Sequence, residues 1–188
     1  MDTRESQKDI MESVKDTVVS SIRGTGEVAN SVIETVSGTM VTAIKGTGAV
    51  GAALTTTLSD ILRGAITGTA QVGGDVGTAA KGAVVGVLKG AKEVGIEGTD
   101  AVSASARAVV KGAAEVGSDV GVAARNAVEG AISGAKQIGL DVGQAASAAA
   151  TGALRGAGEI SQEAVEQVRK AATGVIAGVK VVVKEPFK

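Results

Sequence analysis

The stretch Gly46-Thr47-Gly48-Ala49-Val50-Gly51 matches G-x-G-x-x-G, a pattern whose glycines let backbone N–H groups close on a dinucleotide pyrophosphate. That chemistry needs a buried strand ahead of the glycines. No such run precedes Gly46, and the segment is one copy of a longer internal repeat. A second set, Gly-Gly-Asp-Val-Gly, Gly-Ser-Asp-Val-Gly and Gly-Leu-Asp-Val-Gly, places Asp75, Asp119 and Asp141 among glycines, as a calcium-binding turn would. Single carboxylates at least 22 residues apart supply too few oxygens for that ion, so they are read as a solvated helix face. Ser and Thr are numerous, but the chain has no His and no Cys. The usual general base, the thiolate nucleophile and the commonest zinc ligands are therefore missing. The hydroxyls read as small polar fillers. No catalytic, cofactor-binding or metal-ligating residue is nominated, no cofactor is expected, and the chain is expected not to be an enzyme.

What remains is architecture. One Phe, no Trp and no Tyr in 188 residues leave none of the large side chains that usually dominate a core. The hydrophobic share is nevertheless 44%, mostly Ala and Val, and Gly contributes 28 residues. Nineteen basic and 20 acidic residues give a net charge of −1, so nothing in the overall charge draws nucleic acid or anionic lipid. The charged start of the chain, followed by no apolar run, predicts no secretory signal. The longest uncharged run, residues 46–59, falls short of the ~20 apolar residues needed to span a bilayer. A cytoplasmic location is expected, with peripheral attachment to a membrane or granule as the variant.

The elements that must position these residues repeat. Ile22, Ile44, Ile66, Leu88, Val110, Ile132, Leu154 and Ile176 recur every 22 residues, each followed two residues later by Gly24, Gly46, Gly68, Gly90, Gly112, Gly134, Gly156 or Gly178. The spacing of 22 is twice the eleven-residue period that keeps one stripe on one side of a nearly straight helix. Unbroken phase argues against irregular loops. The reading is all-α: a long amphipathic 22-residue-repeat helix, continuous or folded once into a hairpin, packed in a bundle or oligomer. Unbroken, it would run for about 270 Å. Residues 1–21 form a charged helical N-terminal segment with Asp2 or Thr3 as N-cap, 22–182 hold eight repeats, and 183–188 form a tail after Pro186 stops the pattern. The alternative is a β-solenoid with 22-residue rungs. Its support is odd-even alternation within the repeat; Ala-rich runs such as 145–150 oppose it.

Glycine decides what such a helix needs. At about 0.8–1 kcal/mol each relative to Ala, the glycines would cost on the order of 20 kcal/mol in helix interiors, so a lone helix in water would not hold. Gly64/Gly68, Gly130/Gly134, Gly152/Gly156 and Gly174/Gly178 form one i,i+4 strip; Gly73/Gly77, Gly117/Gly121 and Gly139/Gly143 form another. Small-residue strips let helix backbones approach closely. The eight glycines at 22-residue spacing and the eight aliphatic residues before them are the candidate helix-packing residues. Basic residues gather on one flank (Arg23, Lys45, Lys89, Lys111, Arg155) and acids on the other (Glu27, Glu93, Glu115, Glu159, and Asp75, Glu97, Asp119, Asp141, Glu163). The basic flank of one helix could then oppose the acidic flank of the next.

Lys89-Gly-Ala-Lys-Glu-Val-Gly95 and Lys111-Gly-Ala-Ala-Glu-Val-Gly117 resemble the repeat units of synuclein-type hendecad proteins, with related eleven-residue logic in perilipins and late-embryogenesis proteins. That resemblance implies a chain that becomes helical on lipid surfaces or under dehydration. The functional expectation is a non-enzymatic, self-associating helical scaffold or stalk packing through Gly/Ala strips, with itself as partner. A peripheral lipid-surface protein and a helical tube with an apolar lumen for a lipid-like molecule are the alternatives.

Overall fold

The computed structural model describes residues 3–48 and 51–183. Asp2, Pro186 and part of the Gly46–Gly51 motif lie outside them. The described residues form α1 (Thr3–Thr25), α2 (Val28–Thr47), α3 (Ala52–Gln71), α4 (Val76–Val94), α5 (Gly98–Glu115), α6 (Val120–Ile138), α7 (Val142–Gly158) and α8 (Gln162–Ala172). A hairpin of β1 (Gly174–Ile176) and β2 (Val179–Val181) follows. The long helix, continuous or folded once, is thus replaced by short helices, and the β-solenoid by an all-α array.

The turns show why. Gly73, Gly95, Gly117 and Gly139 have φ of 70–78°, the left-handed conformation that glycine enters without a Cβ penalty. After each, an N–H reaches back over the helix end: Gly74 to the Thr69 carbonyl (2.9 Å), Ile96 to Ala91 (2.9 Å), Ser118 to Ala113 (2.8 Å) and Leu140 to Ala135 (3.0 Å). One residue further on, Asp75, Glu97, Asp119 and Asp141 stand at the N-caps of α4, α5, α6 and α7. The carboxylates of Asp75, Asp119 and Asp141 accept backbone N–H groups of the new helix. Glu97 caps without a side-chain bond, its longer side chain being a poorer fit for that position. Asp75, Asp119 and Asp141, expected on a solvated helix face, and Gly73, Gly117 and Gly139 of the second glycine strip are therefore turn chemistry. N-caps that recur every 22 residues preserve register as well as a continuous helix does.

Helices two apart in sequence pack most extensively, α2 with α4, α4 with α6, α1 with α3, α5 with α7. The odd-numbered helices make one layer and the even-numbered helices the other. The core holds Val32, Val36, Met40, Ile61, Leu62, Val84, Val109 and Val128, all 0% exposed, among many buried alanines. The eighth copy of the repeat is not helical. Gly174 is followed by Val175, Ile176 and, beyond the turn, Val179, Val181, Val182 and Val183, β-branched residues that favour strand over helix. Ala177 (φ 48°) and Gly178 (φ 79°) make the turn, and β1 pairs antiparallel with β2, Val175 opposite Lys180.

Candidate functional site

The expected packing glycines separate into four groups. Gly68 and Gly156 press on the backbones of Lys15 and Arg107, where a Cβ would come within 2.7 Å of a carbonyl oxygen in each case. Gly134 and Gly90 press on side chains, with 2.6 Å to Leu88 Cδ1 and 2.9 Å to Met40 Sδ, while Gly112 meets Ile66 at an ordinary 3.5 Å. Gly24 and Gly46 face nothing within 4 Å, because α1 and α2 have no earlier helix in their layers. Gly178 sits in the hairpin turn. The aliphatic partners Ile66, Leu88, Val110, Ile132, Leu154 and Ile176 are at most 2% exposed and Ile22 is 8%; Ile44 is half-buried. These residues build the array and do not line a site.

Charge pairing follows the same neighbours. Lys45 reaches Glu93 (3.2 Å), Arg63 reaches Glu115 (2.9 Å), Lys81 reaches Glu129 (3.6 Å), and Glu159 takes both Lys111 (2.7 Å) and Arg107. Burial pushes the Glu159 carboxyl up, but the hydrogen bond from Lys111 and the charge of Arg107 outweigh it and hold the group below its ordinary range. The Thr78 hydroxyl and the N–H groups of Thr78 and Gly77 hold Asp75 low against a smaller contribution from burial.

Asp60 departs from this order. It is 9% exposed, and its Oδ2 has no hydrogen-bond partner among the described residues. Burial raises its pKa, partly opposed by Arg63. It lies one turn before Gly64 and shares its helix face, where α5 and α7 carry Ala104 and Ala148.

A surface furrow of about 780 Å³ runs along α7. Its floor is α7, which is mostly Ala and Gly. Gly152 and Gly156 seat α7 against the backbones of Ser103 and Arg107 in α5. On its other side the hairpin lies against α7 through β2, with Val181 buried and Lys180 exposed. The floor carries Gln144, Ser147, Thr151 and Arg155, α5 contributes Thr99, Asp100 and Ser103, β2 contributes Lys180, and Asp141 closes the N-terminal end of α7. Among the described residues, Arg155 and Lys180 pair with no carboxylate. None of these was singled out as a site residue from the sequence; the readable signal was the i,i+4 hydroxyl pairs Thr99/Ser103 and Ser147/Thr151.

No protein-family model matches the chain, and no curated protein sequence matches it. Among solved structures it is similar to a crystal structure of a de novo designed helical repeat protein, DHR7, at 22% identity and a TM-score of 0.53, over 90% of this chain and 92% of that one. The likeness shows the fold, a helical repeat array; a synuclein or perilipin relation is not shown.

Proposed function

We propose that the chain is a non-enzymatic helical-repeat scaffold whose 22-residue unit is one helix plus one turn. The observation that carries this reading is the seating of each helix on the one two before it. Glycine meets backbone at Gly68, Gly130 and Gly156, and ion pairs run beside the last two of these contacts. Glycine strips that looked as if they needed other copies of the chain are occupied from within it. In such arrays each unit touches only its neighbours, and polar end units stop the stacking. Here α1 presents a charged surface, and the hairpin covers α7 where a further odd-layer helix would dock.

A second reading keeps self-association. Gly38 and Gly46 on α2 face nothing within 4 Å, although the matching glycines of α4, Gly82 and Gly90, seat α4 against α2. The strip on α2 is thus shaped for a helix of another copy. Light scattering of the full chain over a range of concentrations tests between the two. A constant monomer mass supports the closed scaffold; a mass that rises with concentration and returns to monomer in Gly38→Leu supports stacking.

The lipid-surface alternative has less support, because its apolar stripe, including Leu88, Val110 and Ile132, is spent inside the array. No helix among the described residues is long and apolar enough to cross a membrane. The tube alternative fares similarly, the space between the layers being filled by side chains.

A further inference from the structure

We infer that the first half of α1, residues 4–13, is a proton-controlled flap, seated on α3 while Asp60 is protonated and released when that carboxylate ionises. The flap needs only the α1–α3 seam and not the scaffold role. α1 and α3 run parallel, Gly64 lying against the Met11 carbonyl and Gly68 against that of Lys15. One turn earlier on both helices, the same register brings Asp60 level with Gln7. In the other layer this place is held by Gly82, whose Cβ would stand 3.0 Å from the Ala29 carbonyl oxygen of α2, so the seam suits a very small residue there. Asp60 is nevertheless only 9% exposed, and its Oδ2 finds no hydrogen-bond donor among the described residues.

α1 is anchored unevenly. Val14, Val18, Val19 and Ile22 are buried, while no residue from 4 to 13 is. The first half therefore has little apolar burial with which to offset an ionised, unpartnered carboxylate in its seat. The surrounding charges do little to relieve it. Arg63, on the next turn of α3, lowers the carboxyl's pKa by less than burial raises it, and is itself held by Glu115 of α5. Arg107 and Lys111 of α5 are engaged by Glu159, and Asp100 is exposed. On α1, Arg4, Glu5, Lys8 and Asp9 are exposed, and Lys15 is taken up by Glu12 and Asp16. The charges of α2 and α4, Glu34, Lys45, Lys81, Lys89, Lys92 and Glu93, are all exposed. Because the docked pKa is raised, docking is at full strength below the ordinary carboxylate pKa, weakens as pH rises from there to the docked value, and is weakest above it. One proton changes the docking equilibrium by at most about tenfold per pH unit. So short a segment does not hold a helix alone, and release strips its amides of protection.

The test is backbone amide exchange of the full chain, expressed as protection factors from mildly acidic to neutral pH. For residues 8–13 the parent should lose up to about tenfold in protection per pH unit across the window in which Asp60 titrates, while residues 102–110 of α5 stay level. Asp60→Asn and Asp60→Ala, both neutral at every pH, should abolish that slope and keep the acid-side protection throughout. Lys8→Gln should leave the parent's slope in place. The inference is overturned by a flat parent profile, by a slope that survives in both neutral variants, or by a loss shared equally with α5. A carboxyl-carbon NMR titration that places Asp60 in or below the ordinary carboxylate range would also overturn it. So would disappearance of the slope in Lys8→Gln, which would assign the switch to that ammonium.

Discussion

Replacing glycine by alanine inside a helix normally stabilises it by about 0.8–1 kcal/mol, and in this chain the sign of that substitution should depend on which helix carries it. Gly38 lies in the middle of α2 with nothing within 4 Å of where a Cβ would stand. Gly38→Ala should therefore gain the full propensity, about 1 kcal/mol. Gly130, in α6, would place its Cβ 2.5 Å from the Lys81 carbonyl oxygen and 3.1 Å from Lys81 Cα, both backbone atoms of α4 that cannot swing aside. Relieving the contact requires α6 to withdraw by several tenths of an ångström along a row that also includes Gly134 against Leu88. Overpacking of that kind costs about 1–3 kcal/mol. Less the propensity gain, Gly130→Ala should lose up to about 2 kcal/mol and Gly130→Leu more. Urea denaturation followed by circular dichroism reads both variants against the parent. Equal stabilisation by the two alanines would refute the claim that backbone seating holds the layers together.

Asp60→Ala, which installs the residue found at the same turn of α5 and α7, should stabilise by about 1–3 kcal/mol near neutral pH by removing an unpartnered buried group. Because the folded-state pKa of Asp60 is raised, its penalty is small below the ordinary carboxylate pKa, grows as pH rises through the folded value, and is full above it. The advantage of Asp60→Ala should shrink in acid, and a pH-independent gain would contradict this origin. Asp75 has the opposite sign: its lowered pKa contributes stability above the ordinary carboxylate range that is lost as pH falls through the folded value. Asp75→Ala should cost about 0.5–2 kcal/mol near neutrality, as loss of a helix cap does, and less in acid, checked by thermal melts across pH. Glu159→Gln, which gives up exposed pairs with Arg107 and Lys111, should cost no more than about 1 kcal/mol, and less in high salt. Far-UV circular dichroism of the parent should show strong helix in buffer alone, unchanged by neutral or anionic vesicles.

The helical character, the register of the aliphatic residues and the opposition of basic and acidic flanks were legible because they rest on spacing, and spacing is fixed covalently. Lys45 with Glu93 and Lys111 with Glu159 realise the flank-to-flank expectation, within one chain. The helix ends were misread because Gly117 and Asp119, taken as points on a continuous wheel, are a left-handed stop and an N-cap start; periodicity alone cannot separate a helix from a helix and turn of the same total length. The helix expected at Ile176 was overruled by local β-branched residues, although the repeat phase still holds there. Asp60 breaks a row of small residues and could have been noticed as an odd letter, but its burial comes from packing that no spacing reveals. The furrow needed the hairpin, whose return to α7 is tertiary.

The ion pairs join residues 48 or 52 positions apart, a separation that does not grow toward the end of the chain. During synthesis, each helix would find its seat already made by the time it leaves the ribosome, with little more than one intervening helix and two turns still to arrange themselves. Closing loops of constant, moderate size keeps the entropic cost of each step nearly the same. Such a chain can assemble in the order in which it is translated, and lengthening it by further units would add steps without making any of them slower.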